Sequence, residues 1–170
     1  MDCQNGAMTV IATLVIGKNG FATGAHSSHE VTSTEDRNRF LALRKSVDCL
    51  LIGGSTARNE PYLTPVPVVV ISRSSVNFLH ANPKAHWWNM ELSKAIARAQ
   101  VEFGNDILIE AGPAIISQAI KEDLVDRFEL SITENDGTEN YFDHAAALSK
   151  AKEVKEEVIN GTTFITALYS

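Results

Sequence analysis

Twice in this chain a short apolar run stops abruptly at small residues. Cys49-Leu50-Leu51-Ile52 ends in Gly53-Gly54-Ser55-Thr56, and Ile107-Leu108-Ile109-Glu110 ends in Ala111-Gly112-Pro113-Ala114. An aliphatic run without polar alternation fits a strand covered on both faces, as in a parallel sheet flanked by helices. Small residues let the chain turn there, and Pro113 suits the first position of a helix. Such junctions expose backbone N–H groups that favour anions, and glycine lets a ligand approach the backbone closely. Two of them in 170 residues point to one long anionic ligand, such as a dinucleotide, lying across a sheet edge.

The rest of the chain alternates in the same way. Residues 9–16 are β-branched and apolar and read as a central strand, closed by the loop Gly17-Lys18-Asn19-Gly20. Thr34-Glu35-Asp36 offers a helix start with acids in the first turn, and Phe40, Leu41, Leu43, Arg44 and Val47 follow at helical spacing. Strands are predicted at 48–52, 68–72, 107–110 and 124–133, and a helix at 91–103 whose stripe is Leu92, Ala95, Ile96, Ala99 and Phe103. Pro61, Pro65 and Pro67 exclude helix between 60 and 68. Residues 134–140 read as a polar loop, and 154–160 with 162–169 as a hairpin turned by Asn160-Gly161. The acids Glu153, Glu156 and Glu157 read as a solvated strand face, and Trp87-Trp88 as core or dimer packing. The expected architecture is α/β: a mixed, mainly parallel sheet with helices on both faces and a C-terminal antiparallel hairpin. Residues 1–7 read as a flexible tail before one domain spanning 8–170.

Composition removes several functional classes. The net charge of −6 leaves no broad basic surface for a nucleic-acid backbone. No apolar stretch reaches membrane-span length, and the N-terminus lacks a basic-then-apolar export signal, so a cytoplasmic protein is expected. Cys3 and Cys49 cannot make a disulfide framework, and Cys49 reads as a buried, inert thiol. The histidines His26, His29, His80, His86 and His144 show no ligand spacing with a cysteine pair, so no metal is expected.

Particular residues narrow the reading further. Arg37, Leu43-Arg44, Asp48 through Thr56, Glu60-Pro61-Tyr62-Leu63-Thr64, Glu110-Ala111-Gly112-Pro113 and Leu124-Val125-Asp126 stand in order along the chain. This series resembles the C-terminal reductase domain of bifunctional riboflavin-biosynthesis deaminase/reductases, which shares the dihydrofolate reductase fold. The chain departs from that pattern at three places. Asn19 replaces the aspartate of a Ser-Leu-Asp-Gly loop, Ala111 replaces the first of two glycines, and Pro65 stands where an arginine follows Leu-Thr.

The resemblance implies an NADPH-dependent reductase of a heterocycle, similar to 5-amino-6-(5-phosphoribosylamino)uracil reductase. Gly53, Gly54, Ser55 and Thr56, with Ala111, Gly112, Pro113 and Ala114, would hold the cofactor, and Ser72 and Arg73 its 2′-phosphate. Asn19, Thr32, Ser33 and Arg37 would meet the substrate, while Asp36 and Glu110 are the candidate catalytic groups. The resemblance also implies a homodimer with small-molecule partners only. A dihydrofolate or pterin reductase is the alternative, favoured by Asp36 and the late Asp136-Gly137-Thr138 loop. A non-catalytic cofactor-binding protein of the same fold is the third reading.

Overall fold

The computed structural model describes residues 7–25, 27–59 and 62–170. His26, the Glu60-Pro61 pair and residues 1–6, which carry most of the expected tail, lie outside the described residues. In chain order the elements are β1 (Thr9–Gly17), β2 (Phe21–Thr23), α1 (Thr34–Lys45), β3 (Cys49–Gly53), α2 (Gly54–Asn59), β4 (Val68–Ile71) and β5 (Ala85–Trp88). They continue with α3 (Leu92–Glu102), β6 (Asp106–Glu110), α4 (Pro113–Lys121), β7 (Arg127–Thr133), β8 (Glu139–Tyr141), α5 (His144–Ser149), β9 (Glu153–Ile159) and β10 (Thr162–Leu168).

Eight of the strands form one sheet in the order β5-β4-β3-β6-β1-β7-β10-β9. Neighbours from β5 through β7 are parallel, and β10 runs antiparallel to both β7 and β9. This is the expected dihydrofolate reductase-like sheet. The late strand β6 inserts between β3 and β1, so the ends of those three strands lie side by side at one edge.

Strand parity assigns the two faces, because successive side chains point to opposite sides. Val10, Ala12, Leu14, Cys49, Leu51, Val69, Ile107 and Ile109 pack with α3 and α4 residues such as Ile96 and Ile116. Ile11, Leu50, Ile52, Val68, Val70 and Leu108 pack on the opposite face with Val47, Ala57 and Leu43 from the α1–α2 side. Burial pushes the Cys49 thiol up to about 12, which keeps it protonated and unreactive.

The local signals act as chemistry requires. Ser33 caps α1, its Oγ accepting from the Asp36 N–H at 3.1 Å. Asn160 (φ 48°) and Gly161 (φ 82°) both take the left-handed conformation that a tight primed turn demands. Helix α4 starts at Pro113 behind Gly112, with no side-chain cap on its first N–H groups.

Trp88 packs in the core as expected, buried on β5 beneath α3, and the Trp87 indole N–H donates to the Ser74 carbonyl at 2.9 Å. Several other sequence expectations need correction. Ser72 falls just beyond β4, and β7 begins only at Arg127, because Leu124 and Val125 reach the core from the preceding loop. The polar 134–140 loop ends in β8, which pairs with β2 as a separate two-stranded ribbon. Short ribbons of this kind carry no apolar periodicity for a sequence reading to detect. The acids of β9 are exposed as expected, although Glu157 also pairs with Arg39 at 3.3 Å.

Ile109 is fully buried at the centre of β6. Ile109→Ala is expected to lower stability by about 2–5 kcal/mol through lost burial and a residual cavity. Urea unfolding read by tryptophan fluorescence checks this, and a shift under 1 kcal/mol would contradict the packing described.

Candidate active site

Beyond the ends of β1, β3 and β6, on the α1 side of the sheet, lies a cleft of about 550 Å³. Its size falls in the range of small-molecule sites. Thr13 and Val15 of β1 floor it in place of a packed helix, and Ala22 to Ala25, Ser27 to His29 and the β8 residues Glu139 and Asn140 close the far side. Both strand-to-helix junctions open into it, as residues 53–56 and 110–115. The junctions also pack on each other. A side chain at Gly53 would approach Ile115 Cδ1 to 2.7 Å, and one at Gly54 would approach Ser72 Oγ to 2.7 Å. At Gly112, by contrast, an added Cβ would meet nothing within 4 Å. Gly53 and Gly54 therefore serve close packing, whereas Gly112 leaves its backbone open to the cleft.

Helix α1 forms the opposite wall. Arg37, Phe40, Leu41 and Arg44, spaced i, i+3, i+4 and i+7, line the cleft on one stripe, while Leu43 packs towards the sheet. Asp36 is buried beside them, and Thr32 Oγ1 donates to its Oδ2 at 2.6 Å. The Arg37 guanidinium is exposed in the cleft wall and makes no ion pair among the described residues.

At the back of the cleft Arg44 and Glu110 form a forked ion pair. Arg44 Nε donates to Glu110 Oε2 at 2.8 Å, Nη2 donates to Oε1, and the Tyr62 hydroxyl donates to Oε1 as well. Parity explains the meeting: Ile107 and Ile109 face α3 and α4, so Leu108 and Glu110 face α1. The Arg44 plane lies over the Phe40 ring at 4.2 Å and over the Tyr62 ring at 4.9 Å. Burial by itself would lower the Arg44 pKa, but the hydrogen bond and charge of Glu110 outweigh it and raise the value. Arg44 is thus permanently charged, and a single carboxylate neutralises it.

The structure brings Thr32, Asp36, Arg37, Gly53 to Thr56, Glu110 and Ala111 to Ala114 to one cleft. It does not bring Asn19, Ser33, Ser72 or Arg73 into the lining. Asn19 is engaged with Gly137, Ser33 is spent on the α1 cap and on Thr162 Oγ1 at 2.7 Å, and Ser72 and Arg73 sit past the end of β4 behind Gly54. Sequence reasoning missed Arg44 and Tyr62 as site residues. The i+7 spacing from Arg37 was a readable signal for Arg44, whereas Tyr62 sits in a proline-bounded loop with no period.

A family model for the RibD C-terminal domain matches residues 8–133. The chain belongs to that family. The match includes both junctions, α1 and the Arg44–Glu110 pair, and ends at the last residue of β7. No curated protein sequence matches the chain. Among solved structures, a putative riboflavin biosynthesis protein from Shewanella sp. PV-4 superposes with a TM-score of 0.71 at 21% identity, covering 95% of this chain and 98% of its own. A pyrimidine reductase-like protein from Corynebacterium diphtheriae gives 0.70 at 17% identity, over 95% of this chain and 91% of that one. The diaminohydroxyphosphoribosylaminopyrimidine deaminase/5-amino-6-(5-phosphoribosylamino)uracil reductase of Thermotoga maritima gives 0.74 at 12% identity, over 95% of this chain but 56% of that one. At these identities the structural likeness establishes the RibD reductase-domain fold. Among the described residues no helix is long and apolar enough to cross a membrane, and no cluster of His, Cys, Asp or Glu is arranged to hold a metal.

Because the Arg44–Glu110 pair is buried, removing one partner strands a charge. Arg44→Leu is expected to cost about 3–5 kcal/mol, and adding Glu110→Leu to restore much of it. Denaturant unfolding of the two single variants and the double variant checks this; additive losses would show that the pair is uncoupled.

Proposed function

We propose that the chain is an NADPH-dependent reductase of a riboflavin-pathway pyrimidine, with 5-amino-6-(5-phosphoribosylamino)uracil or a close analogue as substrate. Family membership supports an oxidoreductase. The observation that carries the finer reading is the convergence of both junctions, Asp36 and Arg37 on one cleft.

The residues present fit the cofactor. Gly112 faces open space, and the first N–H groups of α4 carry no side-chain cap, so a pyrophosphate has donors and room there. Arg73 is exposed and without an ion pair among the described residues, and it follows Ser72, whose hydroxyl lies behind Gly54. Its guanidinium fork matches a phosphate dianion, which favours NADPH over NADH. When bound, NADPH supplies a hydride to a C=N or C=O carbon of the substrate.

The chain itself binds, orients and holds a proton. Thr32 fixes the Asp36 carboxyl through Oδ2, leaving Oδ1 without a protein partner among the described residues and available to a substrate nitrogen or oxygen. Arg37 supplies the cleft's unpaired cation for a substrate phosphate. Glu110, held by Arg44 and Tyr62, acts in this reading through the shape and neutrality of the cleft wall. The functional unit is proposed to be a homodimer, since the sheet ends at edge strands β5 and β9 and β9 is exposed along its whole length. Sedimentation at the monomer mass at micromolar concentration would overturn the dimer.

Mixing the protein with NADPH and the phosphoribosylaminouracil should oxidise the cofactor. NADPH should bind at least about tenfold tighter than NADH, roughly 1.4 kcal/mol, and Arg73→Ala should remove most of that difference. Arg37→Ala should raise KM by the equivalent of about 1.5–3 kcal/mol with NADPH binding intact, and Asp36→Asn should lower kcat. Tight NADPH binding with no oxidation by this pyrimidine would overturn the substrate assignment, and equal affinity for NADPH and NADH would remove Arg73 from the site.

A further inference from the structure

Between the main sheet and the mouth of the cleft stands the β2–β8 ribbon, which pairs Phe21 with Tyr141 and Thr23 with Glu139. Its inner residues Ala22, Thr23, Glu139 and Asn140 line the cleft, whereas its base is joined to the end of β1. That base is built by close backbone approach. An added side chain at Gly137 would come within 2.7 Å of Phe21 Cβ and 2.8 Å of the Phe21 carbonyl, and one at Gly17 would strike the Asn135 carbonyl. Where two backbones meet without side chains between them, their polar groups need partners.

Asn19 supplies those partners. Its Nδ2 donates to the Gly137 carbonyl at 2.8 Å, and its Oδ1 accepts from the Gly137 N–H at 3.0 Å. One carboxamide thus satisfies both polar groups of one residue, as a neighbouring strand would. A carboxylate at this position offers acceptors only and cannot make the first of these bonds. The neutral carboxamide of Asn19 is therefore matched to Gly137. Nearby bonds continue the seam: Lys18 N–H to the Asn135 carbonyl at 3.0 Å, Thr138 N–H to the Thr23 carbonyl at 2.8 Å, and Phe142 N–H to the Gly20 carbonyl at 2.9 Å.

We propose that Asn19 is a positioning residue: its carboxamide pins the β2–β8 ribbon at the cleft mouth and thereby sets how tightly the substrate is held. Asn19 itself lies outside the cleft lining, and its carboxamide is engaged with Gly137. The ribbon is two short strands outside the main sheet, tied to the core through Ala22, and such a unit opens locally at lower cost than the sheet itself. With the pin removed, the ribbon opens more often, and the substrate-competent arrangement of Thr23, Glu139 and Asn140 is populated less. Binding weakens while the chemical step, carried elsewhere in the cleft, proceeds as before.

The substrate half of this proposal rests on the reductase reading above; the ribbon half does not. Amide hydrogen exchange of the full chain therefore comes first. In Asn19→Ala, amides of Phe21–Thr23 and Glu139–Tyr141 should exchange about tenfold faster, while those of β1 and β6 keep their protection. Gly137→Ala, which wedges the same seam from the other side, should reproduce the pattern. With 5-amino-6-(5-phosphoribosylamino)uracil as probe, both variants should raise KM about fivefold with kcat within about twofold. Unchanged ribbon exchange in both variants would overturn the pin, whatever the substrate. Faster ribbon exchange with unchanged KM, or a loss confined to kcat, would overturn its role in binding. If the parent protein turns over no pyrimidine, the reductase reading fails while the exchange result still decides the pin.

Discussion

The tie between Arg44 and Glu110 determines the shape of the working half of this protein. Glu110 closes the central strand of the parallel sheet, and Arg44 lies in the last turn of α1. Joining them fixes the distance between helix and strand end, and so the depth of the cleft. The pair is forked, stacked between Phe40 and Tyr62, and closed by the Tyr62 hydroxyl. Each charge has the partner that burial requires, and the geometry is the rigid one that guanidinium and carboxylate share. A buried pair of this kind is weak evidence for added stability, because desolvation offsets most of the attraction. Its contribution here is to positioning.

Around that fixed back wall the cleft's other walls differ in rigidity. The junctions at Gly53 and Gly112 belong to strands buried on both faces and to helices packed on them, so they hold their places as firmly as the core does. The β2–β8 ribbon lies outside the main sheet and is held by Ala22, which packs into the core, and by a polar seam. A cleft with one firm wall and a softer mouth can open at the mouth without disturbing the junctions. The three departures from the family pattern are distributed accordingly. Ala111 lies at the firm side beside the open Gly112, Asn19 lies in the seam, and Pro65 lies outside the cleft lining in the loop after Tyr62.

The site residues reached by sequence reasoning and those missed divide by a physical criterion. Residues 53–56 and 111–114 were legible because apolar runs ending at small residues leave a mark on the chain itself. Asp36 and Arg37 were placed in the site by the family resemblance, whereas helix-start chemistry alone accounts only for an acid in the first turn. Ser33 carried the same chemistry and was placed with the substrate, yet its hydroxyl is consumed by the cap that such a residue ordinarily makes. Asn19 stood in a glycine-bounded loop, where its partner 118 residues away leaves no local trace. Tyr62 reaches Glu110 across 48 residues from a loop without periodicity, and no local signal marks it.

Sequence alone determined the class of sheet, the two junctions and the tight turn at Asn160-Gly161, because each follows from local sterics or from the pattern of apolar residues. Tertiary structure alone decided that β6 returns between β3 and β1, that the two junctions pack on each other, that Arg44 meets Glu110, and that Asn19 serves Gly137. Those outcomes depend on pairing between distant segments, where the cost of bringing the chain together is met by burial and by completed hydrogen bonds over the whole fold. No short stretch of sequence contains that balance.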